Sequence, residues 1–204
     1  ASANGYVKTW YDQAGTNHAY QNTTSKQAYI VKDGAQVYEG STPAFEPINT
    51  QIALELTSPI GGGTDFAMFA AYRALHDGSY LTRHLTTPQF DTGRRSNNDN
   101  WYFNTDTGQI TTGVHPSTQV VGTYSIVGTE MSIHGNGAPI ATLTATGVPT
   151  ADVERLGRYT GGQGGTISEM IFYESDQTDN RKAIESNMAD FYGIDLDAAA
   201  DHDS

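Results

Sequence analysis

Between residues 65 and 73 apolar side chains occupy both parities of the chain. Phe66, Met68, Ala70 and Tyr72 fall on one face of an extended segment, and Ala67, Phe69, Ala71 and Arg73 on the other. Successive side chains of a strand point to opposite faces. A strand that is apolar on both must be covered on both, so the pattern predicts a central strand. Residues 51–56 alternate, with Ile52, Leu54 and Leu56 on one face, which predicts a strand with one buried side. Residues 6–11 alternate loosely and carry β-favouring aromatics. Residues 28–32 and 36–38 flank Asp33-Gly34, a pair that accepts the positive φ angles of a two-residue hairpin. Further strands are predicted at 101–104, 109–112, 119–127, 130–134, 138–146, 154–159 and 166–173. Gly135-Asn136-Gly137 supplies a second hairpin signal.

Helical spacing is convincing once. Ile184, Met188 and Phe191 recur on one side of 178–192, with Ser175 or Asp176 as the cap and Gly193 as the stop. Residues 76–100 break the alternation with Gly78, Pro88, Gly93 and the polar run 94–100. They predict one short strand, 80–84, and a long loop, the kind of segment that carries binding groups on a rigid scaffold.

Many short strands and a late helix predict an all-β sandwich. A length of 204 residues fits one domain, 1–194, followed by an acidic flexible tail, 195–204, with Asp195, Asp197, Asp201 and Asp203. The net charge of −12 repels phosphates and anionic lipid, which excludes nucleic acid as a partner. No apolar run approaches the ~18 residues a spanning helix needs, so membrane insertion is excluded too. Cysteine is absent, and with it disulfide and thiolate chemistry. The chain opens at Ala1 without Met and enters a strand almost at once, so it is expected to be a piece of a longer protein.

Thr9-Trp10-Tyr11-Asp12-Gln13-Ala14-Gly15, with Gln21, resembles the "YDQSG…Q" segment of the fungal α-L-arabinofuranosidase catalytic domain and of related phage and bacterial surface proteins. Gly165-Thr166-Ile167-Ser168-Glu169-Met170-Ile171-Phe172-Tyr173 and the helix after it resemble the closing strand and helix of the same group. The chain is thereby similar to the concanavalin A-like lectin/glucanase superfamily, including its laminin-G-like members. The resemblance implies a jelly-roll sandwich of two antiparallel sheets with one C-terminal helix. The opening motif also has a purely physical reading. Asp12 and Gln13 stand where a strand ends and can satisfy the N–H groups of a turn, while Gly15 permits the reversal. Ligand contact by Asp12, Gln13, Asn17 or His18 is the alternative.

Glycoside hydrolysis needs two carboxyl groups flanking the scissile bond. The resemblance places the nucleophile on a strand matching 65–72, where the inward positions are Phe66, Met68 and Ala70 and only Asp65, at the strand's start, is acidic. It places the acid in a Gly-Gly-Asp segment before the closing strand, and residues 156–164 hold no acid at all. A Glu-x-Asp-x-x-Glu strand is also missing, and Glu169 and Glu174 fall on opposite faces of a regular strand. No catalytic residue is therefore assigned. His18, His76, His84, His115, His134 and His202 show no zinc spacing. Gly161-Gly162-Gln163-Gly164-Gly165 lacks the Lys of a phosphate loop. No cofactor is expected. Asp99, Asp106 and Asp179 are the oxygen donors that a Ca²⁺ would use.

Sugars offer flat C–H faces and directional hydroxyls, which aromatic rings and Arg, Asn or His match. That mixture is densest between Tyr72 and Tyr102. The candidate ligand-binding residues are Tyr72, Arg73, Arg83, His84, Arg94, Asn98, Trp101 and Tyr102. The alternative is that Tyr72 and Trp101 fill the core and the arginines are solvated. Four arginines in this stretch of a net-negative chain favour an acidic or carboxylated sugar. The expected function is a non-catalytic glycan-binding or adhesion module of a larger surface or virion protein, such as a phage tail or capsid fibre. Its partners would be a cell-surface polysaccharide and other subunits of the parent assembly, as a possible homo-oligomer, in an extracellular, cell-surface or virion setting. The rivals are a structural module that binds protein subunits and a glycoside hydrolase with relocated carboxylates.

Overall fold

The computed structural model describes residues 3–47, 54–61, 63–75, 78–83, 90–95, 99–159 and 165–197, with the side chains of 158 and 159 outside that description. The described chain forms an all-β antiparallel sandwich. The larger sheet has eight strands in the order Gln109–Val114, Asn100–Thr105, Phe90–Arg95, Ser79–Arg83, Asp152–Tyr159, Leu54–Gly61, Ala19–Tyr20, Thr9–Trp10. The smaller has five: Ala138–Thr144, Glu130–Gly135, Gln119–Val127, Asp65–Ala74, Gly165–Tyr173. A three-stranded sheet, Gly5–Val7, Ala28–Lys32 and Ala35–Gln36, and a short two-stranded ribbon complete it.

The doubly apolar strand behaves as its pattern requires. Asp65–Ala74 pairs on both sides, with Gln119–Val127 and with Gly165–Tyr173. Phe66, Met68, Ala70 and Tyr72 enter the core between the sheets. Ala67, Phe69 and Ala71 face outward and are covered by Met188 and Ala189 of the helix Arg181–Tyr192. That helix starts three residues later than its spacing predicts. Asp176 is spent on the preceding turn, where its Oδ1 accepts from the backbone N–H and the hydroxyl of Thr178. Gly193, at φ 64°, ends the helix as expected.

Both predicted hairpins form. Asp33 and Gly34 take φ 53° and 84°, and Asn136 and Gly137 take φ 49° and 83°. Residues 6–11 are a correction: the segment splits into Gly5–Val7 and Thr9–Trp10, which belong to different sheets. Residues 76–100 are another, because Phe90–Arg95 is a full strand inside the large sheet rather than loop. Gly93 sits in its middle at φ 135°, where an added Cβ would lie 2.2 Å from the carbonyl oxygen of Ser79 on the next strand. Glycine there reports a close backbone approach, not a turn.

Candidate functional site

The two faces of the large sheet separate cleanly in the register. One row reads Leu54, Leu156, Thr82, Thr92, Phe103, Ile110 across six strands. It faces the small sheet, and the Thr92 hydroxyl reaches the Met68 sulfur. The neighbouring row on the opposite face reads Thr9, Tyr20, Glu55, Arg155, Arg83. One step past the Thr82–Thr92 pair it continues through Asp91, Asn104 and Gln109. Every position in that row is polar or phenolic. Beside it run Tyr80, Gly93, Tyr102 and Thr111.

Tyr80 and Tyr102 meet edge to face across Gly93, with ring centroids 5.8 Å apart at 76°. Glycine at 93 leaves the gap that the two rings close. The Arg83 guanidinium carbon stands 5.0 Å from the centre of the Tyr80 ring, and that of Arg95 stands 4.9 Å from the centre of Tyr102. Stacking of this kind holds a guanidinium in place while its N–H edge stays available. Arg155 Nη2 is 3.0 Å from Glu55 Oε1, and the Nε of Arg155 is buried without an acceptor among the described residues. Asp91 and Asn104 occupy paired positions and are nearly closed off. Burial, with the Asp91 charge nearby, pushes the Tyr102 phenol up to about 12, so it stays protonated and can donate as well as accept.

The structure divides the sequence-expected site residues. Arg83 and Tyr102 come together on this outer face. Tyr72, Arg94 and Trp101 point inward, which corrects their assignment as ligand-facing groups. Trp101 is 2% exposed and packs on His115, with ring centroids 4.2 Å apart. Arg94 is a clamp between the sheets: its Nη1 donates to the Ala74 carbonyl at 2.7 Å and it pairs with Asp99. Arg73 lies on the small sheet, with Nε 2.8 Å from Glu39. His84 and Asn98 lie outside the described residues. Tyr80 and Arg95, both in the aromatic and basic stretch, and Glu55 and Arg155, far from it in sequence, are the additions. For Tyr80 and Tyr102 the alternation Trp101-in, Tyr102-out was the available signal.

Tyr72 serves a buried chain of polar atoms. His115 Nδ1–H donates to the Pro116 carbonyl at 2.6 Å, so its Nε2 accepts from the Tyr72 hydroxyl at 2.7 Å, and Tyr124 completes the chain at 2.9 Å. Burial pulls the His115 imidazolium down from 6.5 to about 4. The unfolded chain takes up that proton near 6.5 and the folded chain does not. Stability is therefore complete above pH 6.5 and is lost as pH falls towards 4, by about 3 kcal/mol from this group. Urea midpoints measured from pH 7.5 to 4 should show that decline, and His115→Gln should remove this group's share of it, leaving that of His134, which burial also pulls down to about 4.

The opening motif is a turn scaffold. Asp12 Oδ1 accepts from the N–H groups of Ala14 and Gly15, and Oδ2 from that of Asn17, which holds its carboxyl below the usual range. Asn17 exchanges two bonds with the Ser58 backbone, and the Asp12 N–H donates to His18 Nδ1. Asp65 Oδ1 accepts from the Gly128 N–H at 2.9 Å. Asp106 Oδ1 and Oδ2 bond Thr150. Among the described residues no three His, Asp or Glu side chains converge on a point that would hold a metal.

Neither a family model nor a curated protein matches the sequence. Solved structures do. A Trypanosoma rangeli sialidase in complex with 2,3-difluorosialic acid has TM-score 0.60 at 12% identity, over 96% of this chain and 32% of that one. A GH54 α-L-arabinofuranosidase soaked with a cyclic sulfate inhibitor has TM-score 0.59 at 13% identity, over 94% of this chain and 51% of that one. The binding domain of Paraclostridial Mosquitocidal Protein 1 has TM-score 0.56 at 11% identity, over 90% and 51%. The likeness is one of fold. This chain spans between about a third and about half of the length of each. Among its described residues no helix is long and apolar enough to cross a membrane.

Proposed function

We propose that this chain is a non-catalytic glycan-binding module of the concanavalin A-like kind, and that its site is the outer face of the large sheet. The carrying observation is the pair of arginine-stacked tyrosines, Tyr80 with Arg83 and Tyr102 with Arg95, beside the polar row from Glu55 to Asn104. The half-exposed Tyr80 ring, backed by the buried Tyr102 ring, suits the C–H surface of a sugar, and Glu55, Arg155 and Arg83 of the polar row suit its hydroxyls. Arg83 and Arg95 bring two ring-stacked guanidinium groups to this face of a chain whose net charge is −12. A planar guanidinium matches a carboxylate with two parallel N–H bonds, so the ligand class is a carboxylated sugar.

Catalysis is disfavoured by spacing. Glu55 and Asp91 stand on strands three places apart, about 14 Å between backbones, whereas glycosidase carboxyl pairs lie about 5–9.5 Å apart. Glu55 is also engaged by Arg155. Two of the similar folds belong to a sialidase that holds 2,3-difluorosialic acid, a carboxylated sugar analogue, and to an α-L-arabinofuranosidase, in keeping with a sugar as the class of ligand. The proposed setting is a larger extracellular, cell-surface or virion protein, such as a phage tail or capsid fibre, in which this chain would be one module.

A glycan array on the isolated chain tests this. Carboxylated glycans should bind, and Arg83→Ala and Tyr80→Ala should each weaken binding about 10–100-fold, the worth of a lost charge-assisted bond or aromatic platform. Binding to no glycan, together with a stable trimer in solution, would support the subunit-binding rival instead. Release of reducing sugar from a bound glycan would support the hydrolase.

A further inference from the structure

A second polar surface lies on the opposite side of the molecule. On the outer face of the small sheet one row reads Tyr173, Ala67, Ser125, Ser132, Thr142 across all five strands. The next row includes Phe69, Thr123 and His134. The helix covers only part of this face, packing Met188 and Ala189 on Phe69 and Val121. Where it stops short, a groove of about 540 Å³ opens over Ser125, Ser132, Thr142 and His134, walled by Thr178 and Lys182.

Three features of the groove ask for a ligand with many hydroxyls and no net charge. Its floor is a ladder of small hydroxyl side chains, with Ser125 and Ser132 bonded to each other at 2.7 Å. A hydroxyl both donates and accepts, so such a ladder can extend itself onto a ligand of the same kind. The Nδ1 of His134 is buried and has no hydrogen-bond partner among the described residues, and buried polar atoms are rarely left so. His134 lines the groove, and a ligand hydroxyl can pair with that nitrogen in either tautomer once the ring turns to meet it. The charges around the groove also cancel. Arg181 is bound to Glu185, with Nη1 2.6 Å from Oε2, and one lysine, Lys182, and one glutamate, Glu130, both line the groove, so its formal charges sum to zero. The volume falls within the range of small-molecule sites and holds one or two sugar rings.

We propose that this groove is a second binding site, selective for a neutral sugar. It is independent of the arginine-bearing face, and it stands or falls without it.

The test is an amide ¹H–¹⁵N correlation map of the full chain, titrated separately with galactose, glucose, arabinose and galacturonic acid. The neutral sugars should shift Ser125, Ser132, His134 and Thr142, and leave Tyr80, Gly93 and Tyr102 in place. Thr142→Val, isosteric and at an exposed position, should weaken the titration about 3–10-fold, the worth of one hydroxyl bond. Ser132→Leu, which fills the groove, should abolish it. Absence of groove shifts with every neutral sugar up to ~100 mM would overturn the proposal. So would groove shifts that survive both variants, or that galacturonic acid alone produces. Each face is read from its own amides, so a failure here is distinct from a failure of the carboxylated-glycan site.

Discussion

Trp101→Ala is expected to lower folding stability by about 3–5 kcal/mol, the largest single effect a side-chain truncation should have here. The ring is 2% exposed and lies between His115 and Tyr124. Its far edge is received by the small sheet at Gly135, where an added Cβ would stand 2.5 Å from Trp101 Cζ2. A glycine on one sheet and a tryptophan on the other thus form one interlocking contact. Removing the ring leaves a space that the glycine side cannot fill, so relaxation recovers little. Chemical denaturation should show a lower midpoint at unchanged slope. A loss below about 1 kcal/mol would mean that the ring is not enclosed as described. One practical consequence follows: loss of glycan binding in this variant would report unfolding, not a ligand contact, so Tyr80 and Arg83 are the proper probes.

Arg181→Ala is expected to cost a comparable amount, about 3–5 kcal/mol, for an electrostatic reason. Glu185 has no exposed surface. Its Oε1 accepts from the Thr123 hydroxyl at 2.7 Å, and its Oε2 from Arg181 Nη1 at 2.6 Å. Without the guanidinium a buried carboxylate loses its charged donor, at the joint between helix and small sheet. Removing the charge as well should restore most of the loss, because a hydrophobic or neutral replacement of a buried pair is often neutral. Thermal unfolding of Arg181→Ala and of Arg181→Met with Glu185→Gln should separate the two. Equal destabilisation in both would contradict the ion-pair account and leave only lost packing.

The parts of the fold legible in the sequence were those written in alternation or in turn chemistry. Residues 65–73 declared two buried faces because both parities were apolar. Asp33-Gly34 and Asn136-Gly137 declared hairpins because few other pairs accept those φ angles. Phe90–Arg95 was hidden because two of its three inward residues are polar. Thr92 is satisfied by Thr82 at 2.8 Å, and Arg94 by the Ala74 carbonyl and Asp99. Such positions look solvent-facing until their partners from other strands are known. The site was half legible for the same reason. Aromatic and basic residues between 72 and 102 marked the region, but parity decides which of them reach a ligand. Trp101 and Phe103 turn in to the core between the sheets, while Tyr102 and Asn104 lie on the other face of the sheet, where they too are buried. Glu55 and Arg155 join only through pairing across strands distant in sequence, which no local pattern encodes. The opening motif kept its value as a mark of the scaffold: its carboxylate ties a turn.

The most direct test of the central claim is where a carboxylated sugar touches the molecule. An amide map of the chain titrated with an oligomer of galacturonic acid should show shifts clustered on Tyr80, Arg83, Asp91, Tyr102 and Arg155, weakened by added salt as an arginine–carboxylate contact requires. Shifts confined to any other surface, or none at saturating oligomer, would contradict the account.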